Sequence, residues 1–204
     1  MNTIRHFADL LLAEHFEDPM SEKAQLVSRM GRAAKNMEAL VAGLLDYARL
    51  DTADISFDFV SLDETMAEVL DNLDKTIAES GAKIHVNALP AVRGSESLLQ
   101  QVLMNLVSNA LKFRKDDTKP EIRITVDESP TFIALSVSDN GIGISSEHTG
   151  KIFELFTRLN ARSDCPGSGI GLALCRRIAD LRGGSQSCHP NSRPVVSCLW
   201  FRLA

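Results

Sequence analysis

An unbroken seam of apolar residues in the first quarter of the chain constrains its fold more than any other feature. The seam residues are spaced alternately three and four positions apart: Val27, Met30, Ala34, Met37, Val41, Leu44 and Ala48. This period is that of a helix in a left-handed bundle or coiled coil. Ser21 is a suitable N-cap for such a helix, and Glu22 would place a negative charge in its first turn.

A shorter helix is predicted to precede the seam helix. Ile4, Phe7 and Leu11 recur at helical spacing within residues 1–16, and Pro19 separates this stretch from Ser21. A hairpin that carries one seam cannot bury it alone, so we expect residues 1–52 to form a homodimeric four-helix bundle. Packing of the hairpin against its own downstream domain is the alternative.

The pattern changes after residue 55, where helices and strands are mixed rather than alternating. This mixture predicts a two-layer α/β sandwich over residues 56–204, and therefore an α+β chain with an N-terminal helical hairpin. A capping box at Ser61 and Glu64 should begin a helix that reaches about Ser80 and ends at Gly81. The other expected helices cover 95–115 and 169–182, and the expected strands cover 56–60, 83–89, 121–126, 132–138 and 195–203.

Composition excludes several classes of function. The net charge of −5 argues against nucleic acid as a partner, because phosphate backbones require clustered Lys and Arg. The four cysteines form no C-x-x-C pair and no zinc spacing, which indicates reduced thiols in a cytoplasmic protein. No apolar run approaches the roughly 18 residues of a membrane span, so we expect no membrane contact by this segment. An anchor elsewhere in a parent protein stays open.

Three polar side chains share one face of the helix predicted over residues 95–115. Asn105, Asn109 and Lys112 follow the helical repeat, with apolar residues on the neighbouring face. Amide oxygens and an ammonium in a line suit a hard cation and a phosphate, and Mg²⁺ matches such a set. The alternative is an ordinary solvated face of an amphipathic helix.

Two glycine-rich stretches follow. In the first, a strand ends at Asp139, and Gly141 and Gly143 come directly after it. The carboxylate could accept a hydrogen bond from an exocyclic amine, while glycines let a flat ligand approach the backbone. An ordinary Asn-Gly turn explains the same residues.

The second glycine-rich stretch begins the helix predicted over residues 169–182. Gly167, Gly169 and Gly171 would leave backbone N–H groups free to cradle phosphate at a helix N-terminus. The stretch lacks the Gly-Lys-Ser/Thr ending of a Walker A loop and the spacing of a dinucleotide fingerprint. It is weak as an isolated signal.

Taken together and in this order, the motifs resemble those of the bacterial two-component sensor histidine kinases, within the wider ATPase family that includes DNA gyrase. MNLVSNALKF resembles the N box, DNGIGI the G1 box, KIFELFTRL the F box and GSGIGLAL the G2 box. The hairpin ending LLDYARL resembles the dimerisation and histidine-phosphotransfer region. The resemblance covers nearly the whole chain.

The resemblance implies a protein-histidine kinase that uses ATP and Mg²⁺ and passes phosphate to the receiver domain of a response regulator. Asp139 would bind the adenine amino group, and Asn109 would ligate Mg²⁺. Lys112 would contact phosphate. Asn105 stands where gyrase-type ATPases carry a general-base glutamate, and an amide there cannot activate water. This difference fits phosphoryl transfer rather than hydrolysis.

The resemblance also assigns a lid to residues 144–168. Phe153 and Phe156 would anchor this lid apolarly, and the G2 glycines together with Leu172 would close on the nucleotide. Gly141 and Gly143 would line the nucleotide pocket beside Asp139. Catalysis would then consist mainly of positioning and charge neutralisation.

The chain departs from the family at the phosphoacceptor, which relatives place in a His-Asp/Glu-x-x-x-Pro motif. None of the five histidines has this context. We expect the acceptor shortly upstream of Met1, so that the chain would be a fragment and would not phosphorylate itself. Alternatives are a non-catalytic dimeric adaptor that docks a response regulator, or His6 or His15 as acceptor. A serine kinase of the anti-sigma type is disfavoured by the heptad hairpin.

A second departure lies near the end of the chain, where relatives usually carry a glycine-rich turn. Pro190, Asn191 and Pro194 stand there instead. This substitution affects the expected geometry of a loop, and it leaves the proposed ATP-binding residues unchanged.

Overall fold

Helices and strands are mixed in the computed structural model, which confirms the α+β class. It describes residues 6, 7, 11, 21–50, 55–130, 132–159, 168–181, 185–189 and 195–202, the last two ranges through their backbone. The helices are α1 (Glu22–Arg49), α2 (Leu62–Asn72), α3 (Asp74–Ser80), α4 (Glu96–Lys112) and α5 (Gly171–Asp180). The strands are β1 (Asp58–Ser61), β2 (Lys83–Val86), β3 (Ala91–Gly94), β4 (Glu121–Glu128), β5 (Phe132–Asp139), β6 (Ser185–His189) and β7 (Val195–Arg202).

Helix α1 carries the apolar seam. Its N-cap is Ser21, as predicted, because the Ser21 Oγ accepts a hydrogen bond from the N–H of Ala24 at 3.3 Å. Several seam residues are exposed in the single chain, with 45–61% of their surface accessible: Met30, Met37, Val41 and Leu44. Of the preceding predicted helix, residues 6, 7 and 11 are helical, and the remainder of that prediction lies outside the described residues.

Five strands form the main sheet in the order β2-β4-β5-β7-β6. Strands β2 and β4 are parallel, and every other pair in this sheet is antiparallel. Strands β1 and β3 form a separate antiparallel pair, in which Val60 lies opposite Val92. The antiparallel pairing of β4 with β5 aligns Ile122 with Asp139, so the end of β5 lies beside the start of β4.

The hydrophobic core lies between the helices and the main sheet. Helix α4 packs on β4 and β5, helix α5 packs on β6 and β7, and α2 packs on α4. This arrangement confirms the expected two-layer sandwich. The sheet side of the core includes Ile122, Ile124, Leu135 and Val137, and the helix side includes Val69, Leu103, Leu106, Val107, Leu174 and Ile178. Full burial of one such aliphatic side chain contributes roughly 1.5–3 kcal/mol.

The predicted helix from Ser61 to about Ser80 is two helices in the structure. The backbone of Leu73 leaves helical geometry (φ −101°, ψ 1°), and its N–H bonds to carbonyls of the preceding turn. The end of α3 is as expected, because Gly81 adopts a left-handed conformation with φ 63°.

No element in the described part of the chain is long and apolar enough to span a membrane as a helix.

Two strands were not predicted, and one is shorter than predicted. Strand β2 ends at Val86 rather than at 89. Strand β3 covers four residues directly after Pro90, and β6 has the polar sequence SQSCH. Neither sequence has the apolar alternation of a half-buried strand, so pairing with β1 and with β7 determines their conformation.

The two serine N-caps of α2 and α4 should differ in their contributions to stability. The Ser61 Oγ accepts a hydrogen bond from the N–H of Glu64 at 3.3 Å, whereas Ser95 makes no side-chain cap bond. We expect Ser61→Ala to lower the free energy of unfolding by about 1 kcal/mol, and Ser95→Ala to lower it much less. Urea denaturation measures both variants, and equal losses would contradict the assigned capping.

Candidate functional site

A cavity of about 460 Å³ lies between the C-terminal half of α4, the end of β5 and the start of α5. This volume is within the range of small-molecule sites. The residues predicted from the sequence that line it are Asn105, Asn109, Lys112, Asp139, Gly143, Gly169, Gly171 and Leu172. The fold therefore brings together residues from three separate motifs.

Helix α4 supplies the polar wall of the cavity. Its opposite face is buried against the sheet, where Leu103 and Val107 are each at most 1% exposed. This burial fixes the rotation of the helix and directs Asn105 and Asn109 into the cavity. At the end of α4, the Nζ of Lys112 lies 4.5 Å from the centroid of the Phe113 ring, a cation–π contact.

The turn after β5 is closely tied to the end of α4. The N–H of Gly141 donates to Asp139 Oδ1 at 2.8 Å, and the N–H of Ile142 donates to the carbonyl of Phe113 at 3.0 Å. A Cβ on Gly141 would lie 2.4 Å from the Phe113 carbonyl oxygen and 2.6 Å from Asp139 Oδ1. Only glycine therefore fits at this position.

Burial raises the pKa of the Asp139 carboxyl group above its ordinary value. The hydrogen bond from the Gly141 N–H and the nearby Lys115 ammonium act in the opposite direction and lower the pKa. Desolvation is the largest of these effects, so the native fold holds a carboxylate at some energetic cost. A titratable group perturbed in this way inside a cleft indicates a functional site.

Asn140, which the sequence analysis treated only as a turn residue, holds this turn against the neighbouring strand. Its Oδ1 accepts from the N–H of Glu121 at 2.9 Å, and its Nδ2 donates to the carbonyl of Lys119 at 3.0 Å. The two bonds fix the backbone that carries Asp139 to the start of β4. The antiparallel register of β4 and β5 makes this contact possible, and the sequence does not reveal that register.

The wall opposite Asp139 contains the start of α5 and the segment before it. Gly169 has a φ of 70°, and its carbonyl accepts a hydrogen bond from the N–H of Phe156 at 3.0 Å. A Cβ on Gly169 would lie 2.9 Å from the carbonyl oxygen of Thr157. The backbone at Phe156, within the predicted lid, is therefore joined to the backbone just after the lid. Gly167 lies outside the described residues.

The two phenylalanines of the F box occupy different environments. Phe153 is 8% exposed and packs with Ile152, Ile144 and Leu172 in a small cluster. The expected apolar environment is therefore present, and the role of this segment as a lid stays a prediction. The expected apolar environment is wrong for Phe156, whose side chain is 55% exposed and lies outside this cluster. Its φ of 65° directs the backbone N–H to Gly169, and this conformation leaves the ring facing solvent.

Several lining residues were not identified from the sequence. Apolar walls come from Phe113, Val137, Ile142 and Ile144, and a second cationic side chain comes from Arg158. The alternation of isoleucine with glycine in DNGIGI was the available signal for Ile142 and Ile144. No comparable pattern marks Arg158, because tertiary structure brings this residue to the cavity.

The metal-binding potential of the site is limited to isolated oxygen donors. Among the residues that the structure describes, no three His, Cys, Asp or Glu side chains form a cluster that could hold a metal ion. The carboxamide of Asn109 offers one hard oxygen at the cavity. Such a wall fits Mg²⁺, which takes most of its ligands from water and substrate phosphates, and it does not fit zinc.

Comparison with known proteins agrees with this architecture. The model of the histidine kinase-, DNA gyrase B- and HSP90-like ATPase family matches residues 94–204, more than half of the chain. The phytochrome-like protein Cph1 of Synechocystis sp. is 33% identical over 180 residues, 88% of this chain and 24% of the relative. The phosphate regulon sensor protein PhoR of Pseudomonas aeruginosa is 31% identical over 173 residues, 82% of this chain and 39% of the relative.

Solved structures share the fold. The catalytic domain of the histidine kinase ThkA is 27% identical and superimposes with a TM-score of 0.64, over 72% of this chain and 96% of that domain. ThkA in complex with the response regulator protein TrrA is 22% identical, with a TM-score of 0.71, over 100% of this chain and 57% of that chain.

The chain belongs to the histidine kinase-, DNA gyrase B- and HSP90-like ATPase family. Its relatives confirm the resemblance to the sensor histidine kinases of two-component systems, and the cavity lies in an ATP-binding domain of that type. The chain spans less than half the length of these two curated relatives.

Asp139→Asn should raise the free energy of unfolding at neutral pH. Because the folded-state pKa of Asp139 is raised, ionisation of this group costs stability. The cost develops as the pH rises from the ordinary aspartate pKa to the raised pKa, and it is complete above the raised pKa. The gain in the variant should therefore shrink as pH falls through the raised pKa, and vanish below the ordinary aspartate range. Urea denaturation across this pH range tests the effect, with the exposed Asp58→Asn as control. A loss of stability at neutral pH would contradict the assignment.

Proposed function

We propose that this chain provides the ATP-binding and dimerisation parts of a protein-histidine kinase in a two-component system. The γ-phosphoryl group of ATP would be transferred to a histidine and then relayed to an aspartate of a response-regulator receiver domain. The observation that carries the proposal is the desolvated Asp139 carboxylate, held by Gly141 in a cavity that also contains Asn109 and Lys112.

Asp139 would select the base. Its carboxylate can accept a hydrogen bond from the exocyclic amine of adenine, whereas guanine presents a carbonyl oxygen at the corresponding position. The apolar side chains of Val137, Ile142 and Ile144 border the same cavity and suit the faces of a purine ring. A charged acceptor in a partly desolvated site discriminates strongly between a donor and a second acceptor.

The phosphates would lie toward α4 and the start of α5. Lys112 and Arg158 both line the cavity and supply positive charge. Asn109 would contribute an oxygen ligand to Mg²⁺, which bridges phosphate oxygens and neutralises charge during transfer. The backbone of residues 168–171 would close the phosphate side with N–H groups at the start of a helix.

In the transfer itself, the bond from the γ-phosphorus to the β,γ-bridging oxygen breaks and a phosphorus–nitrogen bond to imidazole forms. ADP retains the bridging oxygen, and the proton of the attacking imidazole passes to solvent. Asn105 carries a carboxamide, which cannot act as a base toward water, and this supports transfer over hydrolysis. The ThkA complex contains a response regulator, which supports the same kind of partner for this chain.

Residues 1–52 would form the dimerisation hairpin, and residues 56–204 the ATP-binding domain. Met30, Met37 and Val41 expose an apolar stripe along α1 that a second copy of the hairpin would cover in a four-helix bundle. Exposed apolar residues that are scattered over a surface are ordinary, whereas these residues follow the heptad period and form a continuous stripe. Such a stripe on a single chain favours association.

Asp139→Asn should lower the affinity for ATP by about tenfold or more, because a charge-assisted hydrogen bond contributes roughly 1.5–3 kcal/mol. Isothermal titration calorimetry with MgATP measures the change, and MgGTP should bind the wild-type chain much more weakly. Asp58→Asn, at an exposed position in β1, is the matched control, because it makes the same chemical change outside the cavity. Undiminished ATP affinity in Asp139→Asn would refute the adenine assignment.

Val41→Glu should shift the chain from dimer to monomer, because it places a charge in the exposed seam of α1. The neighbouring Ala42→Glu adds the same charge at an exposed position outside the heptad seam and should leave the dimer intact. Sedimentation equilibrium distinguishes the two species. A wild-type chain that is monomeric at all concentrations would argue against the proposed homodimer.

A further inference from the structure

We propose that Asn105 is a positioning residue, whose carboxamide interlocks helix α4 with the first turn of α5 through Gly171. The inference rests on the proposed function, since it assigns this residue a role in shaping the nucleotide cavity. It also gives a reason for glycine at position 171, the third glycine of the G2 motif, because the side chain of Asn105 from the N box lies close to this position.

The contact with Gly171 is tight and involves a side-chain oxygen. A Cβ on Gly171 would lie 2.7 Å from Asn105 Oδ1 and 3.2 Å from its Cγ, whereas the Nδ2 would be 3.8 Å away. Contacts below 3.0 Å require one group to move. The absence of a side chain at Gly171 therefore accommodates the carboxamide oxygen of Asn105.

The Asn105 side chain also faces Cys175, which is fully buried in α5, one helical turn after Gly171. Burial raises the pKa of the Cys175 thiol to about 12, so the sulfur is a neutral partner at physiological pH. The thiol is therefore an uncharged neighbour of the carboxamide, and the contact between Asn105 and Gly171 carries the interlock.

The interlock links the two walls of the cavity. Asn105 lies one helical turn before Asn109 on α4, and Gly171 directly follows the Gly169–Ile170 segment. Asn105, Asn109, Gly169 and Gly171 all line the cavity. A shift between α4 and α5 would therefore change the distance between the amide wall and the backbone at the start of α5. The carboxamide of Asn105 fixes that distance from inside the site.

A different reason for Gly171 is possible within the same site, because a glycine also lets phosphate approach the backbone. The two explanations predict different outcomes in a double-mutant cycle. A methyl group that obstructs Asn105 becomes harmless when the Asn105 side chain is removed. A methyl group that obstructs the nucleotide remains harmful in the absence of Asn105.

The experiment compares the wild-type chain with Gly171→Ala, Asn105→Ala and the double variant, and measures the affinity for MgATP. We expect Gly171→Ala to weaken MgATP binding about tenfold in the presence of Asn105. The corresponding coupling energy is typical of residues in direct contact. The double variant should bind no more weakly than Asn105→Ala alone. Losses in the double variant that equal the product of the two single losses would overturn the interlock. Asn72→Ala, at an exposed position at the end of α2, is the matched control for Asn105→Ala and should leave the affinity unchanged.

A second cycle with the same four chains measures the free energy of unfolding in urea without nucleotide. We expect the two substitutions to be non-additive here as well, because the contact exists in the nucleotide-free fold. If the wild-type chain bound no ATP, the proposed function would fail while this cycle still decided the contact. Coupling in unfolding without coupling in affinity would overturn the positioning role and leave a packing contact only.

Discussion

The apolar face of helix α4 lies against strands β4 and β5, and the rest of the site depends on this contact. Burial of Leu103 and Val107 fixes the helix in rotation and along its axis. The opposite face then has to direct Asn105 and Asn109 into the cavity. The hydrophobic effect has no directional preference of its own. Because burial of one face sets the rotation of the helix, the helical repeat then sets the direction of the polar side chains on the other face.

A second set of constraints joins the loop after β5 to this helix. Backbone bonds link Ile142 to the carbonyl of Phe113, and the Asn140 side chain holds the same loop to the start of β4. These bonds hold the Asp139 carboxylate in a place where burial opposes its charge. The fold thus sacrifices some stability to keep an acceptor desolvated, which is the usual relation between a binding site and the scaffold that carries it.

Helix α1 packs against a residue that adjoins the cavity. A Cβ on Gly43 would lie 3.2 Å from the side chain of Ile170, which stands between Gly169 and Gly171. Nearby, the Nε2 of Gln101 on α4 donates to Asp46 of α1 at 3.4 Å. The helix that carries the exposed seam therefore packs on the segment that would surround the phosphates. The seam helix and the start of α5 are therefore in direct contact.

The sequence by itself determined the seam helix, the capping of α2, the two central strands and most of the polar residues of the site, because these follow from local periodicity and turn chemistry. Strands β3 and β6 were not predicted, because partner strands impose their conformation. The exposure of the Phe156 ring and the hydrogen bonds of Asn140 could not be predicted from the sequence either. Only the tertiary structure decided that Asn105 meets Gly171, since the packing of two helices far apart in sequence sets that distance.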